Sequence, residues 1–125
     1  MKTLVLNACM LVVIYSANPI LKIFHDNVAM CVQELNKPPT EPEVVYCTVH
    51  KQGSIDEKGR YMIEKGIARL DDLVADEVKR NNIKEVIRHC YAQNQYGSDI
   101  IINDEETRKI IKCSMPAFAL IDKLQ

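Results

Sequence analysis

The chain has 125 residues, 47% of them hydrophobic and 26% charged, with a formal net charge of −1. This is the composition of an ordinary globular protein with one core, and it excludes a disordered or fibrous chain. Acidic and basic residues are mixed along the sequence without a basic block, which excludes the clustered positive face that a nucleic-acid partner demands.

Residues 1–17, MKTLVLNACMLVVIYSA, read as a secretory signal peptide. Lys2 supplies the positive n-region, Leu4 to Tyr15 are nearly all apolar, and Ser16 and Ala17 are small enough for cleavage after either. The apolar run is shorter than the roughly 20 residues of a membrane-spanning helix, and polar Asn18, Lys22 and His25 follow it. Its removal takes away Lys2 and leaves a net charge of about −2. Cys9 leaves with it, so five cysteines become four: Cys31, Cys47, Cys90 and Cys113. In a secreted chain this even number points to two disulfides, with three connectivities open. The sequence has no Asn-x-Ser/Thr acceptor, so N-glycosylation is not expected.

The remainder, residues 18–125, forms one domain. From Pro19 to Leu35, Ile20, Phe24, Val28, Cys31, Val32 and Leu35 recur at steps of three and four, which predicts a helix with Cys31 facing inward. NKPPT breaks it, because consecutive prolines remove backbone donors. Thr40-Glu41-Pro42-Glu43 then reads as a capping box with Thr40 as N-cap. The helix it opens presents Val44 and Cys47 inward, with Tyr46 or His50 as further candidates, and ends at Gly53, and Gly59 closes the acidic turn that follows.

Tyr61 to about Ala75 predicts a third helix on the stripe Ile63, Ile67, Leu70 and Val74, weakened at Gly66 by about 1 kcal/mol relative to alanine. Asp76 or Asn82 caps a fourth, whose Ile83, Val86, Ile87 and Cys90 share the helical spacing. Gln93 to Asn103 reads as a packed loop. Asp104 is expected to cap a last helix, with Glu105 and Glu106 at the positive end of its dipole and Ile110, Ile111 and Cys113 inside. Ser114 and Pro116 punctuate its end, and PAFALIDKLQ follows as a short amphipathic tail. No strand alternates and no long period repeats, so the expected fold is all-α, about six short helices in one disulfide-stapled domain.

Chemistry at the side chains is thinly supported. Cys47 and His50 have a C-x2-H spacing to which His89 and Cys90 would add two zinc ligands, but adjacent residues of one helix point about 100° apart and an oxidising compartment favours disulfides. Thiolates are disfavoured on apolar faces, which weakens a Cys/His nucleophile. Asp71-Asp72 and Glu105-Glu106 read as solvated or dipole-facing carboxylates, and SIDEKG lacks the alternating acidic ligands of a calcium loop. His25, His50 and His89 read as surface or partly buried histidines. Tyr46, Tyr61, Tyr91 and Tyr96 can donate a hydrogen bond inside a pocket, with packing at the core edge as the plainer role. No catalytic residue, metal site or cofactor is expected.

CVQEL at 31–35, VVYCTVHKQGSIDEKGRYMIEKG at 44–66, IKEVIRHC at 83–90 and KIIKC at 109–113 resemble the insect odorant-binding proteins of the pheromone-binding class. That family carries six cysteines paired first to third, second to fifth and fourth to sixth. Cys31, Cys47, Cys90 and Cys113 resemble the first, third, fourth and sixth, while Glu43 and Asp104 stand where the second and fifth would be. The joint loss resembles the minus-cysteine subclass and implies the bridges Cys31–Cys47 and Cys90–Cys113. The interval between Cys31 and Cys47 is shorter than the family's by about a helix, which implies a reshaped cavity wall.

What the resemblance implies is carriage of a small hydrophobic molecule, such as an odorant or pheromone, through extracellular fluid without chemical turnover. The inward faces then supply a lining: Phe24, Val28, Val45, Val49, Met62 and Leu70 from the first half. Val86, Ile87, Ile111, Phe118 and Leu120 complete it, and the C-terminal segment is expected to fold over the pocket mouth. The implied partners are small hydrophobic molecules, with room for a membrane chemoreceptor, on a monomer or weak homodimer. Two rivals share the same sequence features. One is a secreted salivary or venom-type protein of the same fold that sequesters amines or lipids, and the other is a disulfide-stapled interaction protein with a filled core.

Overall fold

The computed structural model describes residues 18–94 and 103–124. The signal peptide expected at 1–17 lies outside the described residues, as does most of the packed loop expected from Gln93 to Asn103. The described chain folds into five helices: α1 (Pro19–Leu35), α2 (Pro42–Lys51), α3 (Ile63–Leu73), α4 (Glu77–Gln93) and α5 (Asp104–Phe118). None is long and apolar enough to cross a membrane.

Local chemistry sets the helix ends. Asn18 caps α1 by accepting the Leu21 amide at 3.1 Å, and Pro19 follows where no amide hydrogen is needed. Asn36 ends the helix in the left-handed region, with φ of 52°, a conformation that asparagine tolerates better than most residues. At α2 the expected capping box does not form. Glu41 occupies the cap position in extended backbone without a side-chain cap bond, and Glu43 reaches across to Lys37 at 2.7 Å. The cause is Pro42: the residue before a proline is pushed out of helical geometry, so Glu41 cannot be a first helical residue behind Thr40.

The turn between α2 and α3 is built on Asp56, whose carboxylate accepts the amides of Lys58 and Arg60, each at 2.9 Å. An antiparallel bridge pairs Ile55 with Tyr61, so α3 starts two residues later than the periodicity predicts. No side chain caps α3. Asp76 caps α4, leaving Asn82 within the helix. Asn103 rather than Asp104 caps α5, accepting the Glu106 amide at 2.9 Å, and α5 continues through Pro116 to Phe118. Pro116 is exposed in the last turn, where a lost backbone bond costs least because water can replace it.

The helices pair. Cys31–Cys47 joins α1 to α2, and Cys90–Cys113 joins α4 to α5. The most extensive helix contacts are these two pairs, with α2 on α5 next, and α3 touching α4 and α1. Leu70, Ile83, Ile87, Ile110 and Ile111 are fully buried where they meet. The bridges close loops with sequence separations of 16 and 23, for which chain entropy gives about 3 kcal/mol each. Replacing Cys31 and Cys47 with serine, or Cys90 and Cys113, is therefore expected to lower unfolding free energy by about 3 kcal/mol in urea titrations. The loops do not overlap, so the two losses should add.

Candidate functional site

The two stapled pairs meet along a seam, and a cavity of about 20 Å³ lies in it. Every helix contributes wall residues, and the end of α5 with the segment after it closes one side through Phe118 and Ile121. Five residues expected to line a pocket do so together: Phe24, Val49, Leu70, Ile87 and Phe118. Ile111 is fully buried in the core, while Val28 and Val45 are partly buried against it and Met62 immediately precedes α3.

Val86 and Leu120 do not face inward; they are 40% and 48% exposed. On α4 the buried residues are Ile83, Ile87 and Cys90, so Val86 sits about 100° from Ile87 around the helix. After α5 the chain turns, and Ile121 rather than Leu120 enters the core.

Tyr61, Ser54, Gln52 and Arg69 form the polar part of the wall. Helical periodicity does not find the first three, because they lie in or beside the turn. The bridge to Ile55 turns Tyr61 inward to 6% exposure, with its amide donating to Thr107 Oγ1 at 3.0 Å. Burial raises the phenol's pKa far above its ordinary value, so it remains a neutral O–H. The ring packs over Gly66, where a Cβ would meet the hydroxyl and would lie 3.0 Å from Cζ. The glycine that weakens α3 is thus the space for this phenol. Gly66→Ala, which on an open helix would add about 1 kcal/mol, is expected to lower stability instead, with Tyr61→Phe in the same chain recovering part of the loss. Thermal unfolding of the single and double variants measures both.

A polar clasp of Tyr46, Asp104 and Arg108 crosses the same seam. Tyr46 on α2 donates to Asp104 on α5, and Arg108 donates to the other carboxylate oxygen at 3.0 Å. The guanidinium also lies 4.2 Å from the Tyr46 ring centroid. Gly59 lets the turn approach this point: its φ is +80°, and a Cβ would lie 2.6 Å from that of Asp104. The Tyr46 hydrogen bond, then Arg108, hold the Asp104 pKa below its ordinary value. Burial, then Asp104, push the Tyr46 phenol up to about 12.

The adjoining surface cleft is rich in carboxylates, yet most have their own cations: Glu34 with Lys51 at 2.9 Å, Asp56 with Arg60 at 2.6 Å, and Asp104 with Arg108. No concentrated negative field is left there. Cys47 and Cys90, the sulfurs considered for zinc, are both in disulfides.

The clasp makes stability depend on pH in two windows. Asp104 has a lowered pKa, so its contribution is present above the unfolded value near 4 and lost as pH falls through the folded value. Tyr46 has a raised pKa, so its contribution is present below pH about 10 and lost as pH rises through about 12. Tyr46→Phe is expected to cost about 1 kcal/mol at neutral pH and to flatten both windows, measured as urea midpoints across pH.

The C-terminal segment is latched by Asp122. Its amide donates to the Leu73 carbonyl at 3.1 Å, and its carboxylate accepts the Ala75 amide at 2.9 Å and Lys79 Nζ at 3.2 Å. Its carbonyl lies 2.7 Å from His25 Nε2 on α1. Phe118 and Ile121 are thereby held as a cavity wall without a covalent tie.

A model of the ant venom allergen Sol i 2 family matches residues 30–118, well over half of the chain and a span that includes both disulfides, the seam and the turn. Membership in a venom family and two disulfides fit a secreted protein. The odorant-binding resemblance agrees with this match in fold class, a small helical disulfide-bonded domain. The chain belongs to the ant venom allergen Sol i 2 family.

Proposed function

We propose that this is a secreted, venom-type protein that sequesters a small, largely apolar molecule in the seam cavity without chemically altering it. The observation that carries the proposal is an internal cavity one wall of which, Phe118 and Ile121, is held after the last cysteine by packing and the polar Asp122 latch, with no covalent tie of its own. At about 20 Å³ the closed cavity has room for about one water. A larger occupant must displace the tail and part the helix pairs, and neither disulfide resists that movement.

The magnitudes allow it. A ligand burying about 300 Å² of apolar surface gains about 7 kcal/mol. The four hydrogen bonds of the latch cost about 4 kcal/mol to break. The difference, about 3 kcal/mol, corresponds to binding in the millimolar range. Carriage of odorants or pheromones, with a chemoreceptor as recipient, is the narrower form of the same proposal, and the venom family favours the broader one. Expression in a venom gland rather than a sensory organ would separate them.

The small closed volume favours one other reading, a stapled interaction protein with a filled core. Displacement of a naphthylamine fluorophore distinguishes the two. We expect uptake by the native chain and affinity raised by up to about tenfold in Asp122→Ala, where the latch is weakened. If neither protein takes up the fluorophore at about 1 mM, approaching the expected affinity, the filled-core reading stands.

A further inference from the structure

We infer that the ligand of the seam cavity carries a hydrogen-bond acceptor at one end, a carboxylate above all, and that Tyr61 and Arg69 receive it. This rests on the sequestration proposed above and concerns the chemical class of what is sequestered.

The cavity wall has two unlike components. Phe24, Ile87, Phe118 and Ile121 are apolar, while Gln52, Ser54, Tyr61 and Arg69 bring polar groups to it. None of the lining residues is acidic. Two groups on the polar wall have unused capacity. Among the described residues the Tyr61 hydroxyl has no hydrogen-bond partner, although the residue is buried. Arg69 is partly buried and donates from Nη2 to the Gln52 carbonyl at 3.2 Å, but among the described residues it forms no ion pair. A guanidinium offers five N–H donors, so most of its fork is uncommitted.

The two groups are close neighbours on one face of the wall. The Tyr61 hydroxyl lies against Gly66, and Arg69 follows Gly66 by three residues, one turn along the same face of α3. An alkyl carboxylate entering with its chain toward Phe24 and Phe118 would meet a guanidinium and a phenol O–H together. Charge-assisted bonds of this kind are the strong ones, particularly where water is excluded. A carbonyl would receive the same donors without the charge. An alkylamine would bring a second positive charge beside Arg69 with no carboxylate to receive it, and burying an unpaired charge is costly. The surface cleft on the other side of the turn offers an amine little more, since most of its carboxylates are paired.

The test compares ligands of one chain length, decanoate, decanol and decylamine, below their micellar concentrations. Each is titrated against the fluorophore bound to the full chain at neutral pH. Decanoate should bind at least about tenfold more tightly than decanol, with decylamine weakest. Arg69→Met, which keeps an apolar stem, should lower decanoate affinity about tenfold and leave decanol within about twofold. Tyr61→Phe should lower decanoate affinity by about three- to tenfold. Preserved decanol binding in Arg69→Met shows that the cavity still forms. Decylamine binding as tightly as decanoate, or equal decanoate binding by the native and Arg69→Met chains, overturns the inference while sequestration stands. If none of the three displaces the fluorophore and the fluorophore itself is not taken up, it is the sequestration proposal that fails.

Discussion

Neither disulfide crosses between the two helix pairs, and the rest of the structure follows from that constraint. Each bridge closes a hairpin: α1 with α2, and α4 with α5. What holds the hairpins together is burial, the Tyr46–Asp104–Arg108 clasp and the Asp122 latch. Exposed ion pairs are individually worth little, so the seam relies on apolar packing and on the few polar groups that are partly shielded. A cavity placed on such a seam can change volume without breaking a covalent bond. The same cavity inside either stapled pair could not.

The helices and the cysteine pairing were legible because they depend on local period and on parity. Cys31, Cys47, Cys90 and Cys113 all fall on apolar stripes, and the family resemblance selects one of three pairings, the one present. Helix starts were less legible because competing backbone preferences settle them. Thr40 has the side chain of a cap, but Pro42 dictates the backbone of Glu41. Asn103 caps α5 because the Asp104 carboxylate is engaged by Tyr46 and Arg108, 58 and 4 residues away in sequence. A partner at the first of those separations has no periodic signature.

The pocket divides along the same line. Inward helix faces supplied five of its apolar residues, Phe24, Val49, Leu70, Ile87 and Phe118, whereas Val28, Val45 and Ile111 pack in or against the core, Met62 precedes α3, and Val86 and Leu120 are exposed, with Ile121 in the wall in place of Leu120. Its polar wall was not, since a turn orients Tyr61 through a single bridge rather than a repeating pattern. Gly66 shows the same limit. Its helix penalty is visible in sequence, whereas its purpose appears only when a residue five positions earlier folds back over it.

The build of α3 has a dynamic consequence. It has no side-chain cap, carries a glycine in its interior and takes part in neither disulfide, while both helix pairs beside it are covalently closed. Local opening in proteins begins where cooperative support is thinnest. Backbone amides of α3 should therefore exchange with solvent through fluctuations that leave the two hairpins intact. The segment that bears Arg69 and accommodates Tyr61 would then be the softest in the described chain, so its order becomes a quantity that an occupant of the cavity can change.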